Sequence, residues 1–103
     1  MSEVSIGNIA DIPRGEGRAF GVAGTQVAVF RLRDDSLRAL DAVCPHRGGP
    51  LADALIDDCV VVCPLHNHTY DLSTGDEVAF GGAGVRAYPV RADAAGEISV
   101  DLD

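Results

Sequence analysis

Short runs of hydrophobic residues, alternating with polar residues or rich in β-branched side chains, recur along most of the chain and predict β-strands. The predicted strands cover residues 4–6, 18–22, 26–31, 37–42, 59–62, 70–72, 85–92 and 97–102. The second and third form one hairpin, and the last two form another around residues 93–96. Regularly spaced turns between strands of this length are typical of a small antiparallel sandwich or barrel. The predicted fold class is therefore all-β, with little or no helix.

Residues 44–75 interrupt this pattern with two loops that are dense in Cys, His and Pro. The first loop reads C-P-H-R-G-G-P-L from Cys44, and the second reads C-P-L-H-N-H-T-Y-D from Cys63. Each loop offers one thiolate and one imidazole at a spacing that lets both side chains turn toward one point. The proline after each Cys stiffens its loop. Because loops on a β scaffold usually carry function, the candidate metal ligands are Cys44, His46, Cys63 and His66.

Two Cys and two His can bind several metals, and a structural zinc ion is the main alternative to an iron–sulfur cluster. Zinc sites usually pair Cys with Cys and His with His, whereas each loop here mixes the two types. Two ferric ions, two sulfides, two thiolates and two neutral imidazoles sum to zero charge, while four thiolates would leave a dianion. The neutral centre accepts an electron more readily, so such clusters have potentials of roughly −150 to +300 mV, against about −400 mV for all-Cys plant-type clusters.

The two boxes, C-P-H-R-G-G-P-L and C-P-L-H-x-x-x-Y-D-L-x-T-G, resemble those of the Rieske iron–sulfur family. The resemblance is close over residues 44–75 and looser elsewhere. It implies a Rieske-type [2Fe–2S] cluster in which Cys44 and Cys63 ligate one iron, and His46 and His66 ligate the other. Near the surface, the imidazoles would be the route by which electrons leave.

The resemblance also implies the fold, which is a single Rieske domain over residues 1–103. In this family an antiparallel β sandwich carries a small inserted cluster-binding subdomain, here at about residues 43–75. High-potential members carry an extra Cys in each loop, and the two form a disulfide. Because Leu65 stands in that place in the second loop, the chain resembles the low-potential type without a disulfide.

Four residues beside the ligands are candidate neighbours of the cluster: Arg47, Pro64, Leu65 and Tyr70. The Tyr70 hydroxyl could donate a hydrogen bond to a cluster sulfur or belong to an ordinary β core. Arg47 could contact a partner or pair with a local carboxylate. His68 is expected not to be a ligand, and Cys59 is expected to be a small hydrophobic residue on a strand.

The implied function is one-electron transfer without catalysis by the chain itself. An oxygenase would need a second, mononuclear iron held by its own two His and a carboxylate. The chain has three His, and two of them are assigned to the cluster. A redox sensor or structural metal module is the third class, and a sensor would need an output domain.

Within the family the chain resembles two kinds of carrier. One is the small Rieske subunit of NAD(P)H-dependent nitrite reductase, in which a C-P-H-x-x-G-x-L box is common. The other is the free Rieske ferredoxin that carries electrons from a flavin reductase to a ring-hydroxylating dioxygenase. The first box favours the nitrite reductase subunit. In either case the expected partners are redox proteins, namely a reductase and a terminal oxidoreductase.

The formal net charge of −8 argues against two classes of partner. Nucleic acids and anionic membrane surfaces attract clustered Lys and Arg, which are few here. The first residues lack the basic region and apolar stretch of a signal peptide. With an odd number of three cysteines, a disulfide framework is not indicated. The expected location is the cytoplasm.

Overall fold

The computed structural model describes residues 3–22, 24–42, 55–57, 60–62, 69–78 and 84–102. Its strands are β1 (Glu3–Asn8), β2 (Glu16–Val22), β3 (Thr25–Arg31), β4 (Leu37–Asp41), β5 (Leu55–Asp57), β6 (Val60–Val62), β7 (Thr69–Asp71), β8 (Ala87–Tyr88), β9 (Val90–Ala92) and β10 (Glu97–Asp101). In these ranges the only helical element is a 3-10 turn at Ile9–Asp11. No helix of the described segments is long and apolar enough to cross a membrane.

The strands form three antiparallel sheets, ordered β1-β10-β9, β2-β3-β4-β8 and β5-β6-β7. The prediction of an antiparallel all-β fold is confirmed. The first four predicted strands correspond to β1 through β4, with ends that differ by three residues or fewer. The hairpin of β2 and β3 is also confirmed, since the two strands pair along their full length.

The four-stranded sheet lies between two hydrophobic cores because both of its faces are buried. Four consecutive residues of β3, from Val27 to Phe30, are 0% exposed. Since successive side chains point to opposite faces of a strand, Val27 and Val29 enter one core, which also contains side chains of β10. Ala28 and Phe30 enter the other core, which contains side chains of β6 and β7. A strand buried on both faces reads as a continuous apolar run, as this one does.

The single strand predicted at residues 85–92 is wrong, because Pro89 divides it. Before Pro89, β8 pairs with β4 in the four-stranded sheet. After it, β9 pairs with β10 in the sheet of β1, β10 and β9, here called the terminal sheet. Proline has no amide hydrogen to continue a ladder. Its carbonyl still accepts a bond of 2.9 Å from the Asp101 amide. The predicted final hairpin is thus confirmed only for β9 and β10.

The three-stranded sheet of β5, β6 and β7 lies within the predicted interruption. Strand β5 was not predicted, whereas β6 and β7 lie close to the predicted strands at 59–62 and 70–72. Cys59 itself falls outside the described residues. Val61 and Tyr70 are both 0% exposed, and they pack this sheet onto the central sheet through the shared core.

Candidate metal centre

The four predicted ligands and three of their four predicted neighbours lie in segments that the structure does not describe. These segments are residues 43–54 and 63–68, and they contain Cys44, His46, Arg47, Cys63, Pro64, Leu65 and His66. His68 lies there as well. What the structure does describe are the strand ends between which both loops run.

Both loops return to the same end of the three-stranded sheet. Leu55 pairs with Val62, and Val62 pairs with Thr69, so these residues form one row across the sheet. The first loop enters the sheet at Leu55, Cys63 follows Val62 directly, and Thr69 comes three residues after His66. One end of the sheet therefore anchors the end of the first loop and both ends of the second.

The donor set fits a Rieske cluster on chemical grounds. Two thiolates can hold one iron and two imidazoles the other, and this keeps the oxidised cluster neutral. The sheet that flanks both loops packs on a hydrophobic core that includes Val61 and Leu72, which are 0% and 1% exposed. Apolar burial around a cluster limits solvent access and affects its potential.

Asp41 ties the end of β4 to the segment around β8, and it precedes Cys44 by three residues. Its Oδ1 accepts a hydrogen bond of 2.6 Å from the Tyr88 hydroxyl. Its Oδ2 accepts one of 2.9 Å from the Arg86 amide, and its own amide donates to the Arg86 carbonyl at 2.9 Å. The end of β4, three residues before Cys44, is therefore held by three bonds to one neighbouring segment.

The Tyr88 phenol is held in its neutral form. Burial, followed by the hydrogen bond and the charge of Asp41, raises the pKa of Tyr88 to about 12. The Arg86 guanidinium lies 4.8 Å from the centre of the Tyr88 ring and opposes this shift. The same guanidinium donates to the Leu102 carbonyl at 2.7 Å, which ties the end of the chain to this group of residues.

Tyr88 should make stability fall in strong alkali. An unfolded tyrosine ionises near pH 10, whereas folded Tyr88 ionises near 12. Its contribution is therefore complete below pH 10 and lost as pH rises from 10 through 12. Over that window the unmodified protein is expected to lose up to about 2–3 kcal/mol more than Tyr88→Phe. Urea unfolding of both proteins at several pH values measures the difference, and parallel losses would contradict the prediction.

Tyr70 is the one predicted site residue that the structure describes. It is 0% exposed and packs in the core between the three-stranded and central sheets. On its strand it faces Val61 on one side and forms a bridge with Glu77 on the other. The Tyr70 ring therefore lies in the core, and the predicted bond from its hydroxyl to a cluster sulfur stays a prediction.

The turn after β7 is built around Gly75. Asp71 Oδ1 accepts bonds from the Ser73 and Thr74 amides at 2.7 and 3.2 Å, and the Gly75 amide donates to the Asp71 carbonyl at 2.7 Å. Gly75 has a φ of 82° and accepts a bond of 2.8 Å from the Val85 amide. This contact joins the end of the second box to the segment before β8.

Sequence reasoning missed two residues that frame the site, Asp41 and Glu77. Each follows or precedes an apolar residue in a short strand or bridge, which is ordinary for a surface carboxylate. The hydrogen-bond partners of Asp41 lie 45 or more residues away in the sequence, and the Thr69 amide that bonds Glu77 lies eight residues away. No local sequence pattern therefore indicates these contacts. Only the tertiary contacts identify them.

Comparison with known proteins gives the family. The family model of the Rieske-like [2Fe–2S] domain matches residues 3–101. The ferredoxin of carbazole 1,9a-dioxygenase from Nocardioides aromaticivorans is 30% identical, with a TM-score of 0.90 and coverage of 100% of both chains. A protein assigned as the NADH-dependent nitrite reductase small subunit of Mycobacterium tuberculosis is 26% identical, with a TM-score of 0.88, covering 95% of this chain and 92% of that one.

Shorter matches fall on two kinds of protein, a ferredoxin subunit and larger oxygenase components. The anthranilate 1,2-dioxygenase ferredoxin subunit of Burkholderia cepacia is 39% identical over 72 residues, which are 68% of this chain and 66% of that protein. Oxygenase components match too, but the chain spans only 16% of their length. With a family match over residues 3–101 and likeness to ferredoxin components along its length, this chain belongs to the Rieske-like [2Fe–2S] domain family and is an electron carrier with a Rieske-type [2Fe–2S] cluster.

Proposed function

We propose that Cys44 and Cys63 hold one iron of the cluster and that His46 and His66 hold the other. Support comes from the donor chemistry and from the row of Leu55, Val62 and Thr69, which anchors both loops at one end of the sheet. The cluster-binding subdomain then covers about residues 43–75 of a single domain spanning 1–103. When bound, the cluster accepts and releases one electron. A purified protein that is colourless and contains zinc without sulfide would contradict this assignment.

The residues beside the ligands shape the cluster's surroundings in this proposal. Pro64 and Leu65 stiffen and shield the second loop, and Leu65 excludes the disulfide of high-potential relatives. Arg47 either contacts a partner protein or pairs with a carboxylate of this chain. High-potential Rieske proteins have a Ser two residues after the second ligand His, and this chain has His68 there. Without that hydroxyl to stabilise the reduced cluster, the expected potential lies toward the low end of the Rieske range.

Tyr70→Phe is expected to lower the reduction potential modestly. In this proposal the buried Tyr70 hydroxyl donates to a cluster sulfur, and such a bond stabilises the added electron. The ring stays in the core, where Tyr70 is 0% exposed, so the variant changes the donor and little else. A redox titration followed by EPR measures the shift. An unchanged potential would remove the sulfur bond from the proposal.

Among terminal systems, we propose that the chain is the small subunit of an NAD(P)H-dependent nitrite reductase in the cytoplasm. The C-P-H-R-G-G-P-L box and the likeness to the Mycobacterium tuberculosis protein support this choice. The alternative is a free ferredoxin between a flavin reductase and a ring-hydroxylating dioxygenase. The end-to-end likeness to the carbazole dioxygenase ferredoxin and the 39% identity to the anthranilate dioxygenase subunit support the alternative.

Affinity purification of the tagged holoprotein from its native cells tests both proposals. Copurification of a large chain that carries flavin and haem supports the nitrite reductase subunit. Recovery as a monomer that a flavin reductase reduces, and that passes electrons to a ring-hydroxylating oxygenase, supports the ferredoxin. Because the net charge is −8, transfer to a basic partner surface should slow as salt is added. Failure to exchange electrons with either system overturns both proposals.

A further inference from the structure

Glu77 is the one charged side chain that is buried in the described part of the chain, at 6% exposed. Moving a carboxylate out of water is costly unless hydrogen bonds or charges compensate. Its Oε2 accepts a hydrogen bond of 2.8 Å from the Thr69 backbone amide. The family match and the electron-carrier function leave this buried charge without an assigned role.

Chain connectivity limits the distance between Glu77 and the proposed imidazole ligand His66. Thr69 follows His66 by three residues, and an extended chain spans at most roughly 3.3–3.6 Å per residue, so their Cα atoms are no more than about 11 Å apart. The Glu77 oxygen lies 2.8 Å from the Thr69 nitrogen. Covalent reach alone therefore keeps this carboxylate within about 14 Å of the His66 backbone.

The segment of Glu77 also holds the end of the second ligand loop. Besides the bond from the Thr69 amide to Glu77, the Thr69 carbonyl accepts a bond of 2.8 Å from the Val78 amide. Tyr70 and Glu77 form an antiparallel bridge next to these bonds. Both polar backbone groups of the residue where the loop rejoins β7 are thus bonded to residues 77–78.

We infer that Glu77 is a positioning residue that fixes the exit of the second ligand loop and lowers the reduction potential of the cluster. This inference rests on the proposed ligand assignment. A fixed negative charge opposes the addition of an electron nearby. Two unit charges about 12 Å apart at an effective dielectric of about 20 change an equilibrium constant roughly tenfold, which sets the scale of the expected effect. For one electron, tenfold corresponds to about 59 mV.

Glu77→Gln separates charge from structure because the amide oxygen can still accept the Thr69 hydrogen bond. We expect this variant to keep its cluster and to have a higher potential, by about tenfold in the reduction equilibrium. Glu77→Asp keeps the charge, and its reduction potential should stay close to that of the unmodified protein. The matched control is Glu97→Gln, an exposed carboxylate of the terminal sheet that accepts a bond from Ser5. It should leave the potential unchanged.

Potentiometric titration followed by EPR gives the potentials, and iron and sulfide content per chain confirms cluster loading. In the same proteins, hydrogen exchange of the Thr69 amide reports the loop exit and should become faster in Glu77→Ala. Equal potentials in Glu77→Gln and the unmodified protein, with the Rieske spectrum intact, would overturn this inference alone. A preparation without a Rieske spectrum before any substitution would instead overturn the proposed ligands.

Discussion

His66→Ala is expected to abolish the Rieske absorption and EPR spectra, while His68→Ala keeps both. Removing the His66 imidazole leaves one iron short of a donor and opens it to water, so the cluster is lost. His68 is the same residue type in the same loop, two positions further along. The pair therefore compares a proposed ligand with a residue of the same type two positions along the chain.

The three cysteines allow the same comparison for the sulfur donors. Cys63→Ser is expected to lose cluster iron and sulfide, whereas Cys59→Ser keeps them, since Cys59 is not a proposed ligand. Absorption spectra, EPR of the reduced protein and analysis of iron and sulfide measure the outcome. A Rieske spectrum in His66→Ala, or cluster loss in His68→Ala, would require a different ligand set.

Gly75→Ala is expected to destabilise the folded protein strongly. A Cβ built on Gly75 would lie 1.9 Å from the carbonyl oxygen of Val85 and 2.9 Å from its carbon. Both are backbone atoms, so the clash cannot be relieved by rotating a side chain. The φ of 82° adds strain for any residue with a Cβ. Overpacking, left-handed strain and a weakened bond from Val85 together predict a loss of about 3 kcal/mol or more.

Gly15→Ala is the matched control for this prediction. Gly15 has nearly the same φ, 81°, but a Cβ there would meet nothing within 4 Å. It should cost only the conformational strain, about 1–2 kcal/mol. For a domain of this size each kcal/mol lowers the melting temperature by roughly 4–8 °C, so thermal unfolding resolves the two variants. Equal melting temperatures would show that the close approach of Gly75 and Val85 does not affect the stability of the folded protein.

The strand pattern could be predicted from sequence where a strand follows the ordinary rules. The continuous apolar run of β3 and the turn after β2 placed the central hairpin correctly. The division at Pro89 was missed because hydrophobicity continues across it and only pairing separates β8 from β9. Strand β5 was missed because three residues carry too little periodicity to distinguish a strand from a loop.

The candidate site divides in the same way. Its donor residues follow from local spacing, since Cys and His types and the intervals between them carry the metal chemistry. The sequence could not indicate that the Val85 carbonyl lies against Gly75, because that contact joins segments with no shared pattern.

By itself, the sequence determined the family, the cofactor type and the all-β class, because these depend on residue types at short intervals along one strand or loop. Tertiary structure alone decided that the four-stranded sheet is buried on both faces and that both ligand loops return to one end of the three-stranded sheet of β5, β6 and β7. It likewise decided that Asp41 and Glu77 serve the loop ends. These features arise from pairing and packing between distant segments, and the cost of burying a charge such as Glu77 exists only once the chain has folded around it.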